Sequence, residues 1–505
     1  MAVKDIPQEI AEFLNGKGGR SLLVKGSAGT GKTTMALEIL NSLAKPEESF
    51  YLSTRVSDET LYQHFPWLKD KEMKGRIIDS SRVLLDALYD EEELNEPPVT
   101  EKKKLNVARD FLKSIQTEEV ETPSKVDRSR LSVLLERIRM PEIERIYDSI
   151  DRILPNKSMV VMDSVEGVTH KYGLDAEELI NTFQKDLVEN SNTNLILVLE
   201  KAEAPDLEYL VDGVVSVTRV EIEGRRLRQI HLEKLRATEI LQHSYPITLQ
   251  NGRFRSLPPF QPDYSKIKPW KPIPDPENQY STGINDLDGL LGGGFTRGSY
   301  NVLEIGENVS EEEYQSIMRL IFLNFILHDR GVAAVLVGGR HPENLRDDLT
   351  RFLPNGHFDS HVRVMNYFSS SSDNKYVMAM FGRKGDEARR IYAENIAAIS
   401  KGDHGAILEY TGFDTLEYLR GDTLAIKELF SAVSQTKISH NLGIGIVKPG
   451  LNLTQEIMNM ADTYFKIIDV NKCPVIYGVK PKTVMYAIVL DEEKGCPNVK
   501  LTPIV

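Results

Sequence analysis

Two cysteines in 505 residues, Cys473 and Cys496, are too few for a disulfide framework or a zinc cluster. Their scarcity fits a reducing, cytoplasmic compartment. No apolar run approaches the roughly 18 to 20 residues needed to span a bilayer, so no membrane role is expected. The opening "MAVKDIPQEIAEFLNGKG" carries acids early and lacks the apolar core of a secretory signal. Massed positive charge is also missing: 62 Lys and Arg stand against 75 Asp and Glu, a formal net charge of −13. That balance argues against a dedicated nucleic-acid binder, whose phosphate contacts need clustered Lys and Arg, although it leaves room for a local basic patch. What is present, 41% hydrophobic and 27% charged residues, describes a globular protein, and the length predicts two to four domains.

Seven prolines in "SLPPFQPDYSKIKPWKPIPDPENQY" (256–280) cannot sit inside a helix or a central strand. The segment is expected to be extended and semi-rigid. It places an interdomain linker at 258–279, between domains at 1–257 and 280–505. A second irregular stretch, "YDEEELNEPPVTEKKK" (89–104), is acidic, then Pro-Pro, then basic; it reads as a solvated surface excursion. The following "VDRSRLSVLLERIRMPEIERIYDSIDRIL" has apolar residues at helical spacing.

The most specific pattern is "SLLVKGSAGTGKTTMALEILNSL" (21–43). Ser21 to Lys25 is a short, mostly apolar run that suits a buried parallel strand, and "MALEILNSL" is a helix pattern. Between them Gly26, Ser27, Ala28, Gly29, Thr30, Gly31, Lys32 and Thr33, followed by Thr34, match G-x4-G-K-[ST]. The glycines let successive N–H groups turn toward phosphates, and the helix N-terminus adds its positive dipole end. Lys32 is expected to reach the β and γ phosphates of ATP, and the Thr33 hydroxyl to ligate Mg²⁺. In "KSMVVMDSVEGV" (157–168), Met159 to Met162 reads as a buried strand with Asp163 at its C-terminal end. Ligands gather at that end of an open parallel sheet, so Asp163 is the candidate metal-holding acid. "NTNLILVLEK" (192–201) reads as another core strand ending at Glu200. "VVSVTRVEIEGRRLRQIHLEKLRAT" reads as a hairpin turning near Glu223-Gly224. Lys234 and Arg236, two apart, share a face of a strand.

Together "GSAGTGKTT", "VVMDSVEG" and "EKLRAT" resemble the KaiC-like branch of the RecA clan of ATPases. "YLSTRVSDETLYQHFPWL" and the two-half layout resemble in particular archaeal proteins grouped with the gas-vesicle regulator GvpD. The resemblance covers nearly the whole chain. It implies tandem α/β RecA-like domains with central, mostly parallel sheets, ATP and Mg²⁺ at the loop, and homo-oligomeric rings or filaments. In that branch a K-x-R on a late strand reaches the γ-phosphate held by the neighbouring subunit; here it is Lys234 and Arg236, which join Lys32 and Asp163 as catalytic candidates. One departure matters. The paired glutamates that orient the attacking water are replaced by Arg55 and Val56, and an arginine is not a general base at neutral pH. Asp58 or Glu166 could substitute, and Arg55 could contact the γ-phosphate. ATP binding is therefore expected, with slow hydrolysis.

The second half repeats the first. "STGINDLDGLLGGGFTRGSYNVLEIG" is similar to the entry of a KaiC-like domain, and Gly306 takes the place of Gly26. Glu311, Glu312 and Glu313 then fall where Gly31, Lys32 and Thr33 stand. Three carboxylates repel a triphosphate, although they suit a helix N-terminus. "AAVLVGGRHPENL" parallels "FYLSTRVSDETL", including Arg340 at the strand end, and "HGAILEYTGF" parallels "SMVVMDSVEG" with Glu409 for Asp163. The second domain reads as a degenerate, pseudo-ATPase copy. Three functions are open: an ATP-dependent regulator acting on an unidentified protein client; a DNA recombination or repair ATPase, disfavoured by the acids of "EKAEAPDLEYLVD" but kept open by "GRRLRQIHLEKLR"; and a Ser/Thr autokinase or non-hydrolysing scaffold.

Overall fold

A computed structural model describes residues 5–69, 76–79, 125–126, 128–135, 138–267, 270–383, 385–400 and 405–505. The stretch at 89–104 lies outside the described residues. The chain forms two compact units, Met1–Val220 with Arg228–Ser256, and Glu221–Leu227 with Leu257–Val505.

The strands of the first sheet are β1 (Ser21–Lys25), β2 (Ser49–Ser53), β3 (Ile77–Asp79), β4 (Met159–Asp163), β5 (Asn194–Val198), β6 (Gly213–Ile222), β7 (Arg225–Leu235), β8 (Ser244–Thr248) and β9 (Arg255–Ser256). They form one sheet in the order β3-β2-β4-β5-β1-β6-β7-β8-β9. Pairing is parallel from β3 through β6 and antiparallel at β7–β8 and β8–β9. The central strands read as unbroken apolar runs because both faces are covered. Leu22 and Val24 face a core shared with helix Lys32–Leu43. Leu23 faces the opposite core, shared with helices Pro141–Asp151 and Ala176–Phe183. The hairpin turns at Glu223 (φ 48°) and Gly224 (φ 69°), the two positive φ values of the turn whose twist matches its strands.

The second unit holds a small pair, β10 (Gln279–Tyr280) with β11 (Phe295–Thr296), and a large sheet. The latter contains β12 (Tyr300–Ile305), β13 (Gly331–Val335), β14 (Val362–Asn366), β15 (Val377–Ala379), β16 (Ile407–Gly412), β17 (Leu442–Val447), β18 (Thr463–Val470), β19 (Cys473–Lys480), β20 (Tyr486–Leu490) and β21 (Val499–Pro503). Its order is β15-β14-β13-β16-β17-β12-β18-β19-β20-β21. With β12 laid on β1, that is the order of the first sheet plus one edge strand. Both units are thus α/β with mixed, mostly parallel sheets. Among its described residues the proline-rich segment is extended apart from short turns at Tyr264–Lys266 and at Glu277–Asn278, as its prolines require, but it is docked on the second unit. Ile273 N donates to Asn324 Oδ1 at 2.8 Å, Arg330 pairs with Asp275, and Trp270 is buried. This cover explains why helix Glu311–Leu327 is buried from Glu313 to Ile326 on every side.

No helix among the described residues is long and apolar enough to cross a membrane.

Candidate nucleotide site

β1 delivers the chain to the loop 26–31, and helix Lys32–Leu43 carries it away. Gly26, Gly29 and Gly31 have φ of 150°, 72° and 112°, a backbone that side chains resist. A Cβ on Gly26 would lie 2.3 Å from Val217 O, and one on Gly31 would lie 2.9 Å from Leu249 Cδ1. Ser27, Ala28 and Gly29 form the exposed rim, while Thr30, Lys32 and Thr34 are buried. Thr30 Oγ1 ties the loop to Ser27 O at 3.0 Å. Lys32 Nζ donates to Gly26 O at 2.7 Å and Ser27 O at 2.8 Å, lying across the loop. Burial lowers its pKa, opposed by the charges of Asp163, Glu200 and Glu166.

Asp163 ends β4 where the parallel strands point toward the loop. Its Oδ2 accepts from Thr33 Oγ1 and from the Tyr51 hydroxyl, each at 2.6 Å. Burial, then the Asp163 charge, raises the Tyr51 pKa well above its ordinary value. A hydroxyl and a carboxylate held together beside a P-loop lysine are hard oxygen donors of the kind Mg²⁺ takes. With the glycine-shaped loop, they fit a nucleotide and its metal.

The structure brings Lys32, Thr33 and Asp163 together, and it does not bring Lys234 or Arg236 to them. β6 runs parallel to β1 with Leu22 opposite Gly213, so Asp212 lies at the end where β1 begins, away from the loop. Ser21 Oγ donates to Asp212 Oδ2 at 3.1 Å. Arg236 Nη1 donates to Asp212 Oδ1 at 2.9 Å, and Lys234 Nζ to Glu208 O and Val211 O at 3.0 and 2.7 Å. Burial and the nearby Arg236 lower the Lys234 pKa. Both cations therefore stand at the opposite end of the sheet from the nucleotide loop of their own chain.

Arg55, at the expected glutamate position, pairs with Glu200 at 2.6 Å. Glu166 Oε1 accepts from Glu200 N at 2.9 Å, and its Oε2 is buried without a hydrogen-bond partner among the described residues. Two contributors escaped the sequence reading. Tyr51 needed the pairing of β2 with β4. Arg228, whose Nη1 donates to Gly29 O at 2.7 Å and Thr30 O at 3.1 Å, was visible only as part of a basic strand.

The equivalent place in the second unit is built differently. Ser310 caps helix Glu311–Leu327: its hydroxyl accepts from Glu313 N at 3.3 Å, while Ser310 N donates to Glu313 Oε2 at 2.6 Å. Glu311 pairs with Arg340 at 2.6 Å, and Glu312 with Arg319 at 3.0 Å and with the Tyr264 hydroxyl. The connection from strand to helix is one residue shorter than in the first unit, and none of 306–310 has positive φ. No phosphate cradle forms there. The pairing of Glu409 with Asp163 needs correction. Asp163 is the last residue of β4, whereas β16 runs three residues past Glu409, which lies opposite Ala333 and Gly443 within the sheet. The order Asp163-Ser164-Val165-Glu166 recurs instead as Asp414-Thr415-Leu416-Glu417 after β16. Asp414 Oδ2 accepts from Gly338 N at 2.6 Å.

The family described as GvpD gas vesicle protein, P-loop domain, matches residues 10–233, and GvpD basic region 2 matches residues 269–405. The chain is 27% identical to Protein GvpD2 of Halobacterium salinarum over 523 aligned positions, covering 100% of this chain and 97% of that protein. It is 25% identical to Protein GvpD1 of the same organism, covering 99% and 96%. A circadian clock oscillator protein KaiC of a Nostoc species is 25% identical over 297 positions, 56% of this chain and 47% of its own length. In this chain the region 269–405 carries fourteen Lys and Arg against nineteen Asp and Glu, so its net charge is acidic.

Proposed function

For a chain that belongs to the GvpD P-loop domain family, we propose a RecA/KaiC-like regulatory role: ATP is bound at Gly26–Thr33 and hydrolysed slowly, and nucleotide state controls assembly or the binding of a protein client. The observation that carries this reading is the asymmetry of the two units. Thr33 and Asp163 stand 2.6 Å apart beside Lys32 in one, and a capped, glutamate-led helix stands in the other. One nucleotide site beside a related fold without one suits a switch better than a motor. The shared strand order supports descent of both units from one RecA-type domain. The regulated process is, on the description of the matching family, connected with gas vesicles.

Mg·ATP, when bound, supplies the transferable γ-phosphoryl group and its charge-neutralising metal. Lys32 exchanges the carbonyls of Gly26 and Ser27 for phosphate oxygens. Thr33 and Asp163 would hold the metal and its water shell. Arg55 is tied to Glu200 at 2.6 Å and carries no base at the glutamate position, which favours slow turnover. Glu166, with one oxygen unpartnered beside Lys32, is the carboxylate best placed to orient water. Lys234 and Arg236 act in trans, on the nucleotide of a neighbouring copy in a ring or filament.

Steady-state hydrolysis with Mg²⁺ over a range of protein concentrations, alongside sedimentation in ATP and in ADP, tests the reading. The expected result is turnover well below the roughly 10 s⁻¹ median of enzymes, rising with concentration, absent in Lys32→Ala, and coupled to a nucleotide-dependent change in size or client binding. Turnover that survives Lys32→Ala would refute it.

A further inference from the structure

The second unit contains a cavity of about 160 Å³ between β12, β13 and β16 on one side and helices Gly385–Ile399 and Asp422–Ser439 on the other. Glu409 projects into it from the middle of the sheet, ringed by Tyr300, Tyr367, Tyr392 and Phe413, with the exposed Glu428 at the rim. The carboxylate is half-buried by area because the cavity admits solvent, yet protein surrounds it. Asn441 Nδ2 donates to it at 2.9 Å, held in that orientation because Asn441 Oδ1 accepts from Ile407 N at 3.1 Å. The Thr436 hydroxyl lies 3.3 Å from Glu409 but has a shorter acceptor, Ala432 O at 2.8 Å. A hydroxyl has one proton to give, so Glu409 is left with one firm donor. Among the described residues no Lys, Arg or His forms an ion pair with it. A carboxylate in such a place is costly without a counter-charge, and it is not the relic of a metal site, since the strand continues beyond it.

We propose that this cavity binds a small organic cation, with Glu409 as its counter-charge and the faces of Tyr300 and Tyr392 as its walls. Aromatic faces attract ammonium groups through their quadrupole, most strongly when desolvated. Glu409 repels an anion, while Glu428 at the rim is paired with Arg420 at 3.4 Å, whose guanidinium lies over the Tyr367 ring. A purely apolar ligand would leave Glu409 buried and unpaired. No group of three or more metal-ligating side chains is present among the described residues, which leaves an organic cation rather than a metal ion. The competing possibility is a Glu409 that stays protonated, since burial raises its pKa; the cavity would then take neutral molecules as well as cations.

The test titrates the full chain with choline chloride, with ethylammonium chloride and with 3,3-dimethylbutan-1-ol, the neutral carbon isostere of choline. Calorimetry or ligand-observed NMR reads binding, with sodium chloride as the ionic-strength control. The expected result is saturable binding of at least one cation, at least tenfold tighter than the neutral isostere. Glu409→Gln should weaken it at least tenfold, and Lys32→Ala should leave it unchanged. If Glu409→Gln does not fold, Tyr392→Leu carries the test, with a loss of at least threefold expected. Saturation by neither cation, equal binding of the isostere, or indifference to the folded variants would overturn the proposal. The site shares no residue with the nucleotide loop, so its failure leaves the ATP reading untouched.

Discussion

One oxygen of Asp163 accepts from Thr33 and from Tyr51 at 2.6 Å each, so the group that would hold the metal is oriented before any metal arrives. Asp163→Asn keeps the shape and removes the charge. It should weaken Mg²⁺-dependent ATP binding at least tenfold in calorimetry while leaving the thermal midpoint little changed. Gly31 makes a different demand. With φ at 112° and Leu249 only 2.9 Å from where a Cβ would stand, Gly31→Ala should cost about 1–3 kcal/mol in urea unfolding and deform the loop as well. Lys32 and Thr33 were legible because a phosphate loop is a local device: glycines, lysine and hydroxyl all fall within the eight residues 26–33, while Asp163 was legible as the acid that ends an apolar run. Tyr51, Arg228 and the Arg55–Glu200 pair were not, because each depends on strands far apart in sequence. Glu409 was misplaced for the same reason. An apolar run followed by an acid shows that a strand exists, but only the register of β16 against β13 and β17 shows where it ends.

At the scale of the element, the core strands were readable as apolar runs and the hairpin as a turn centred on Glu223-Gly224. The burial of helix Glu311–Leu327 on every side was not, since its outer face is covered by the proline-rich segment, which composition alone marks as a linker. The three glutamates illustrate how one sequence feature can serve another end. They stand where the glycine, lysine and threonine of a phosphate loop would fall, and they stabilise a helix N-terminus through the capping box and the dipole. Ser310→Ala should therefore destabilise the second unit by about 1 kcal/mol, read as a shifted urea midpoint. Replacing Glu311, Glu312 and Glu313 by Gly, Lys and Thr should not create nucleotide binding there. The missing feature is a positive-φ loop of the right length, and a filter-binding or calorimetric titration of that variant in a Lys32→Ala background would show none.

Over the whole molecule, the two sheets share one strand order, while the positive-φ loop at Gly26, Gly29 and Gly31 is not repeated at 306–310. The position of Lys234 and Arg236, beside Asp212 at the sheet end away from the loop, makes a role on their own nucleotide untenable and a role across a subunit boundary testable. Lys234→Ala with Arg236→Ala should leave ATP affinity of the dilute chain within threefold and lower turnover at least tenfold at high concentration. Equal turnover would remove them from the mechanism.

A single, functional nucleotide site has a direct measure in its stoichiometry. Calorimetric titration of the full chain with Mg·ATP should saturate at one nucleotide per chain, and at none for Lys32→Ala. Two per chain, or undiminished binding in that variant, would exclude a single site at Gly26–Thr33.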